Sequence, residues 1–210
     1  PPSTKPYIRF GNTVPSANHV DAVVTQGNVS YTWSNYGFGE FSHWVEVFAD
    51  GDGVIEIFES KNGTRGDKLM TKTIYLPPGP LVIVTRDLWP PHSPWNVETI
   101  AASYIPSTDK MSGVRLFNLS PDTPSAGLKG DGKVLVDNVK YSIGSSWAPL
   151  QPYSTTFTAF DDISKKVLCN DTFVPPPTPF VFTNFLIGLQ NSTDKVYKTR
   201  FVPLIDAPEH

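Results

Sequence analysis

Apolar and polar residues alternate along much of this chain in short runs, which is the pattern of half-buried β-strands. In HWVEVFAD the alternation places Val45, Val47 and Ala49 on one face, and GVIEIFES repeats it with Ile55 and Ile57. The ADGDG segment between these runs predicts a hairpin turn, because Asp-Gly readily supplies the positive φ of tight turns. No stretch has the spacing of an amphipathic helix, so we expect an all-β fold.

Two further runs, LVIV at residues 81–84 and FVF at residues 180–182, are apolar at every position. Strands that are buried on both faces have this pattern, so both runs should be central strands of their sheets. A proline cluster precedes each run, at residues 77–80 and 175–179. Proline cannot donate a ladder hydrogen bond, so each cluster should end one strand and fix the approach of the next.

These proline-led runs are one of four echoes that occur in the same order in the two halves of the chain. The most regular pairs YIRFGNTVPSA, which starts at Tyr7, with GVRLFNLSPDT, which starts at Gly113. VEVFADGDGVIEIF is answered by TFTAFDDISKKVL, which would place Asp161 and Asp162 at the same turn, and NVETIAASYIPS is answered by KVYKTRFVPLID. Four ordered echoes indicate an internal duplication, and a period of about 100 residues is long enough for a whole domain.

The duplication and the strand pattern together predict the fold class. We expect two tandem antiparallel Ig-like β-sandwich domains of about seven strands each, with the first at residues 1–108 and the second at residues 109–210. Proline makes up 21 of the 210 residues, about twice the usual share of ~5%. This excess fits many short strands with proline at their ends.

Charge and hydropathy exclude two classes of partner. The net charge is −3, and no run of basic residues is longer than Lys165-Lys166. A nucleic-acid-binding protein needs a basic face that neutralises phosphates. No stretch approaches the ~18 consecutive apolar residues of a spanning helix. We therefore expect neither nucleic-acid binding nor a membrane span.

Asn-x-Ser/Thr sequons predict the compartment. There are five, where composition alone would give about two, and they begin at Asn28, Asn62, Asn118, Asn170 and Asn191. The excess indicates N-linked glycosylation and an extracellular location, against the alternative of chance in a Ser/Thr-rich chain. Asn118 is the weakest of the five because Pro121 directly follows its sequon. The opening PPSTKP resembles a chain from which a signal peptide has been removed, although a trimmed chain would look the same.

Cys169 is the only cysteine, so no disulfide can form within the chain. In a secreted protein an odd cysteine indicates either an intermolecular bridge or a buried thiol. Val167 and Cys169 share one face of a predicted strand, which favours burial of the Cys169 thiol.

Candidate catalytic and metal-ligating residues are scattered. The four histidines are not spaced as metal ligands. Asp50, Asp52 and Glu56 could suggest a calcium site, but they lack the loop length of an EF-hand and a hairpin explains them. Asp161 and Asp162 are adjacent and would point apart, which does not suit a glycosidase pair. We expect no enzyme activity, no cofactor and no metal.

Aromatic residues are the remaining candidates for ligand binding. Seven of them lie between Tyr31 and Phe48, where they could fill a sandwich core or stack on sugars. The better surface candidate is the WPPHSPW loop, with Trp89, His92 and Trp95, because its prolines stiffen it and the second half has no tryptophan there.

The second half resembles a widespread extracellular family that is described only as a domain of unknown function. The residues that match the family's opening phrase are Val114, Arg115, Asn118, Ser120, Pro121, Asp122 and Pro124, and those that match a later turn are Tyr141, Leu150, Pro152 and Tyr153. The first half keeps only Arg9, Asn12 and Pro15, and Gln151-Pro152 replaces the expected Pro-Gly. The resemblance implies a secreted or surface-attached β-sandwich and no catalytic residues.

Two hypotheses for function follow. The first is a secreted, glycosylated structural protein that self-associates in an extracellular coat, matrix or fibre, with the extended PPSTKP segment adding a strand to the sheet edge of a neighbour. The alternative is a carbohydrate-binding or adhesion module that uses Trp89, His92 and Trp95.

Overall fold

The computed structural model describes residues 5–16, 18–86, 95–102, 112–150, 156–173 and 180–205. These residues form strands, turns and irregular segments and include no helix, so the all-β expectation is confirmed. In particular, no helix among them could cross a membrane. The described residues divide into two compact units, one within Pro1–Ser103 and one within Tyr104–Ala207. The domain boundary that we predicted between residues 108 and 109 lies outside the described residues.

The first unit contains two four-stranded sheets. One has the order β4-β1-β7-β8 and the other β3-β2-β5-β6. The strands are β1 (Pro6–Asn12), β2 (His19–Gln26), β3 (Val29–Tyr36), β4 (Val45–Glu46), β5 (Gly51–Lys61), β6 (Thr64–Leu76), β7 (Gly79–Arg86) and β8 (Asn96–Ala101).

The second unit repeats this arrangement. One of its sheets has the order β12-β9-β16-β17, with β13 also paired to β9, and the other has the order β11-β10-β14-β15. The strands are β9 (Ser112–Asn118), β10 (Ser125–Gly130), β11 (Lys133–Lys140), β12 (Ile143–Gly144), β13 (Ala148–Leu150), β14 (Thr156–Asp161), β15 (Val167–Thr172), β16 (Val181–Ile187) and β17 (Arg200–Ile205).

A buried core lies between the two sheets of each unit. In the first unit it includes Phe10, Trp33, Ile55 and Ile83, with contributions from both sheets. In the second unit the core includes Leu116, Leu128, Phe157, Phe182 and Leu186. This arrangement is consistent with β-sandwich architecture.

The sheets are not wholly antiparallel, which corrects the sequence prediction. In the first unit β1 pairs parallel to β7, with Ile8 opposite Leu81. In the second unit β9 pairs parallel to β16, with Val114 opposite Phe182. All the other strand pairs are antiparallel. The first strand of each unit therefore lies parallel to a later strand of the same sheet. Two parallel strands must be joined by a long crossover connection.

The prediction that LVIV and FVF belong to central strands is confirmed. Strand β7 lies between β1 and β8, and β16 lies between β9 and β17. Residues Leu81, Val82, Ile83 and Val84 are all buried, as is Phe182. Pro77 and Pro78 end β6 and lead into β7, whereas the second proline cluster lies outside the described residues.

The predicted ADGDG hairpin is wrong. Strand β4 belongs to the sheet of β1, and β5 belongs to the opposite sheet, so the segment between them crosses from one sheet to the other. Asp161 and Asp162 lie instead at the turn of the β14–β15 hairpin. The matching turn in the first unit is at Asn62, between β5 and β6. The predicted echo between these two segments is therefore out of register.

Candidate docking groove and the surrounding surface

Asn118 ties a strand end to its connecting loop in the second unit. Its side chain is fully buried, and Nδ2 donates to the carbonyl oxygens of Thr123 at 2.9 Å and Val139 at 3.1 Å. Its Oδ1 accepts from the backbone N–H of Ser120 at 3.1 Å. A glycan would replace one of the two hydrogens on this nitrogen and so remove at least one of the donated bonds. Glycosylation at Asn118 stays a prediction, and the burial of the side chain argues against it.

Asn12 has the same role in the first unit. It is fully buried and donates from Nδ2 to the carbonyl oxygen of Tyr36 at 3.0 Å. Its Oδ1 accepts from the N–H of Val14 and from the hydroxyl of Thr85. Asn12 does not begin a sequon, so the shared role of the two asparagines is to satisfy buried backbone groups.

Asp122 holds a second loop to the end of the same unit. One carboxylate oxygen accepts the N–H of Gln190 at 2.8 Å, and the other accepts the N–H of Asn191 at 3.1 Å. The Gln190 side chain donates back to the Asp122 carbonyl at 2.6 Å. The motif residues Asn118, Ser120 and Asp122 therefore act together in joining the strand connections, which is a structural use of that motif.

Each unit contains an arginine that lies over a tryptophan ring. The Arg115 guanidinium lies 4.7 Å from the centre of the Trp147 ring and also donates to the Thr183 hydroxyl. Arg9 lies 5.8 Å from the centre of the Trp44 ring. Ala148, which follows Trp147, pairs with Val114 on β9. Val45, which follows Trp44, pairs with Ile8 at the matching position on β1. These are cation–π contacts within a unit, which stabilise the outer face of its sheet.

The other four sequon asparagines are exposed. Asn28, Asn62 and Asn191 lie in turns, and Asn170 lies on β15, which is an edge strand of its sheet. The Asn170 side chain accepts a hydrogen bond from the Thr158 hydroxyl at 2.7 Å. All four positions could carry a glycan without loss of core packing.

Cys169 is a free cysteine that packs against the core of the second unit. Burial raises the pKa of its thiol to about 12, an effect only partly offset by a backbone hydrogen bond from Ala159. A thiol with so high a pKa is almost fully protonated at neutral pH and is a poor nucleophile.

Asp161 closes the β14–β15 turn. One oxygen of its nearly buried side chain accepts the N–H groups of Ile163 at 2.9 Å and Ser164 at 2.7 Å. Burial alone would raise the pKa of this carboxyl, but the hydrogen bonds from Ser164, Ile163 and Gln190 together outweigh it, so the pKa is lowered. The carboxylate therefore stabilises a turn.

Of the acidic residues considered for calcium, Glu56 forms an ion pair with Lys68. Within the described ranges, no group of three or more His, Cys, Asp or Glu side chains could hold a metal ion.

The predicted carbohydrate-binding residues are only partly visible. Trp89 and His92 lie outside the described residues. Trp95 is half-buried and packs against the core of the first unit. Carbohydrate binding through these three residues stays a prediction.

Three of the seven aromatic residues between Tyr31 and Phe48 belong to or pack against the core of the first unit: Tyr31, Trp33 and Tyr36. Trp33 is buried and stacks on Phe10, with ring centres 5.9 Å apart. Tyr36 meets the same ring edge-on at 5.6 Å. Phe48 differs from them, since 84% of its surface is exposed, the largest fraction of any large hydrophobic residue described.

An open groove of about 290 Å³ lies on the second unit, between edge strand β11 of one sheet and edge strand β12 of the other. We call it the β11–β12 groove. Its apolar walls are Leu135, Val136, Val139 and Ile143, and its polar lining includes Asp137, Asn138 and Ser145. Ile143 is 52% exposed, so apolar surface continues onto the rim.

The strand positions in the first unit that match two groove residues carry aromatic residues. Trp33 lies opposite Ala22 and Tyr36 opposite Val20, with a register shift between the two pairs. In the second unit Val136 lies opposite Leu128 and Val139 opposite Ala126, with a register shift at the same point. At these two paired positions the second unit therefore has valines where the first unit has a tryptophan and a tyrosine.

An aromatic–glycine pair beside this site is reversed between the units. In the first unit Phe41 bridges to Gly11 and its ring fills the space where a Cβ of Gly11 would lie. In the second unit Phe117 pairs with Gly144, and its ring would lie 2.8 Å from a Cβ on Gly144. Each glycine is needed because the opposite ring approaches its backbone closely.

Neither the groove nor the exposure of Phe48 was predicted from the sequence. The difference between Trp33 and Val136 becomes visible only when the two halves are aligned strand by strand. Once Asn12 is matched with Asn118 and Trp44 with Trp147, the replacement of Trp33 by Val136 can be read from the sequence.

Comparisons with known proteins leave the family unassigned. No protein-family model matches the chain, and no curated protein sequence matches it. The resemblance to the extracellular domain of unknown function therefore stays a prediction that rests on the motif residues.

Proposed function

We propose that this chain is a secreted, N-glycosylated structural protein without enzyme activity. In this proposal two tandem Ig-like sandwiches form a module of an extracellular coat, matrix or fibre, and the modules join by protein–protein contacts. The observation that carries it is the exposed apolar surface of Phe48 and of Ile143, which lies on the rim of the β11–β12 groove. Exposed apolar surface that is rimmed by polar residues is typical of protein interaction sites.

The polar motif residues support a structural role. Asn12, Asn118 and Asp122 make hydrogen bonds that close loops onto strand ends. The Asp161 carboxylate and the Cys169 thiol have pKa values displaced away from neutrality, so both keep one protonation state near pH 7. General acid–base and nucleophilic groups are instead tuned toward the working pH.

The sequons support the extracellular part of the proposal. Asn28, Asn62, Asn170 and Asn191 are exposed, and a glycan at each could extend into solvent. Peptide mass spectrometry of protein made in a eukaryotic secretory host should find glycans at these four positions and none at Asn118. Absence of glycan from all four would overturn the glycoprotein proposal.

Assembly through the N-terminal segment is restricted by β1. Pro6 already pairs with Gly79 in its own sheet, and Lys5 is bonded to Glu46 at 2.5 Å. These two residues are not available to a neighbour unless β1 is displaced. Strand exchange by the residues before them stays a prediction.

Electron microscopy of the glycosylated protein tests the structural role. Filaments or extended clusters at high protein concentration are the expected result. Isolated particles of uniform size at every concentration would contradict it.

A further inference from the structure

Strand β15 lies at the edge of its sheet, and among the described residues it pairs only with β14. An edge strand presents backbone N–H and C=O groups to any other strand that approaches it. The Thr199 hydroxyl donates to the Leu168 carbonyl oxygen at 3.0 Å, so one backbone group of β15 is satisfied within the unit. Unless something covers or repels at the rest of the edge, β15 can pair with a strand of a second chain.

The matching edge strand of the first unit, β6, carries basic side chains. Lys68 lies opposite Phe58 on the outer face of the sheet. Lys68 and Arg65 both lie over the Phe58 ring, at 5.6 Å and 4.8 Å from its centre. Charged side chains on an edge strand, lysine above all, disfavour its pairing with another chain. The first unit therefore protects this edge by charge.

Strand β15 lacks that protection. Val167 lies opposite Phe160, at the place that Lys68 has in the first unit, and it is 50% exposed. The cations over the Phe160 ring come from β10 and from the β14–β15 turn. The strand itself, Val167–Thr172, contains no basic residue, and Asp171 is its only charged one. An exposed valine on an edge strand without lysine favours pairing with a second chain.

A sequon lies in the middle of this strand. Asn170 is exposed, and its Oδ1 accepts a hydrogen bond from the Thr158 hydroxyl of β14 at 2.7 Å. The amide oxygen and nitrogen point apart, so Nδ2, the atom that carries an N-linked glycan, is directed away from Thr158. A glycan on Nδ2 would leave this hydrogen bond intact and would extend from the strand at the edge of the sheet.

We propose that an N-glycan on Asn170 covers the β15 edge and prevents it from pairing with β15 of a second copy. Two uncovered β15 strands can pair antiparallel, which places Lys166 before each strand near Asp171 of the other, so the charges are complementary. Such an isologous contact closes at two chains. The inference rests on the N-glycosylation in the proposed function, and it excludes the β15 edge from the contacts that join glycosylated modules.

Variants secreted from a eukaryotic host test this role of the glycan. N170Q removes the sequon, and T172A removes it while keeping Asn170 and its bond to Thr158. In both variants the amides of residues 167–172 should exchange hydrogen roughly tenfold more slowly once the protein concentration is about ten times the dissociation constant of the pair. In the glycosylated wild type their exchange should not depend on concentration. Hydrogen exchange read by mass spectrometry measures both.

Two matched variants separate the β15 edge from loss of a glycan in general. N191Q removes a sequon at an exposed turn of the same unit and should exchange like wild type. N170K removes the glycan but gives β15 a lysine, as on β6. It should also exchange like wild type, because antiparallel pairing would bring two such lysines close together.

Glycan occupancy, measured by peptide mass spectrometry on the same wild-type material, separates two failures. Absence of glycan from all four exposed sequons would remove N-glycosylation from the proposed function, and this inference with it. Glycan at other sequons but not at Asn170 would overturn the inference alone. With Asn170 occupied, the inference is also overturned if exchange of residues 167–172 in N170Q and T172A stays independent of concentration, or if N191Q gains the same protection.

Discussion

Replacement of Asn118 by alanine should destabilise the second unit strongly, although Asn118 begins a sequon and could be taken for a surface residue. The side chain is fully buried and makes three hydrogen bonds, to Thr123, Val139 and Ser120. Each such bond contributes about 0.5–1.5 kcal/mol, and buried groups left without partners add to the cost. We expect N118A to lower the free energy of unfolding by about 2–5 kcal/mol.

The assay must separate loss of hydrogen bonds from loss of a glycan. Protein made in bacteria carries no N-linked glycan, so urea unfolding of that material measures the structural effect alone. N12A removes the equivalent asparagine of the first unit, which begins no sequon, and should cost a similar amount. N170A removes an exposed sequon and should change stability by no more than about 0.5 kcal/mol.

Hydrogen exchange read by mass spectrometry assigns each loss to a unit. N118A should increase exchange mainly within residues 112–205, and N12A mainly within residues 5–102. The reasoning is refuted if N118A unfolds at the same urea concentration as N170A, because a fully buried side chain with three partners cannot be removed without cost.

Three further predictions concern single residues of the second unit. G144A should lower the free energy of unfolding by about 1–3 kcal/mol, because the added Cβ meets the ring of Phe117 at 2.8 Å and that ring is packed against Phe185. Urea unfolding measures this loss, and a variant as stable as wild type would contradict it. In the folded protein the thiol of Cys169 has a pKa of about 12, whereas in the protein unfolded by urea its pKa is ~8.5. At pH 8 the folded protein should therefore react with a disulfide reagent roughly a thousandfold more slowly than the unfolded protein. Equal rates in the two states would refute burial of the thiol. The pKa of Asp161 is lowered in the folded state, so its carboxylate stabilises the fold above the unfolded pKa of ~3.9 and loses this effect as pH falls. The melting temperatures of D161N and wild type should therefore differ at pH 7 and converge near pH 2. A difference that is the same at both pH values would count against this role.

Features that depend on local periodicity were predictable from the sequence. The apolar runs of β7 and β16 are central strands, and Ile55 and Ile57 share the buried face of β5. Burial on one or both faces leaves a period that is visible in a few residues, so no long-range information was needed.

Features that depend on strand partners were not predictable in the same way. Asp50-Gly51 has the residues of a tight turn, but turn chemistry does not say whether the next strand pairs with the last one or joins the opposite sheet. Here β4 is only two residues long, Val45–Glu46, and β5 belongs to the other sheet. The parallel pairing of β1 with β7 likewise joins residues about 70 positions apart, and no local pattern signals it.

The sequon at Asn118 shows the limit of reading a motif without its surroundings. The tripeptide is the same kind of signal as at Asn28, yet one asparagine is buried and the other lies in an exposed turn. Alignment with Asn12 would have indicated the difference, because a buried asparagine at a position outside any sequon must be kept for its hydrogen bonds.

The weight-average mass of the glycosylated wild-type protein, measured by light scattering over a hundredfold range of concentration, tests self-assembly most directly. We predict a mass that rises continuously past that of a dimer as concentration increases. A mass that stays at one chain plus its glycans throughout the range would contradict the structural role proposed for this protein.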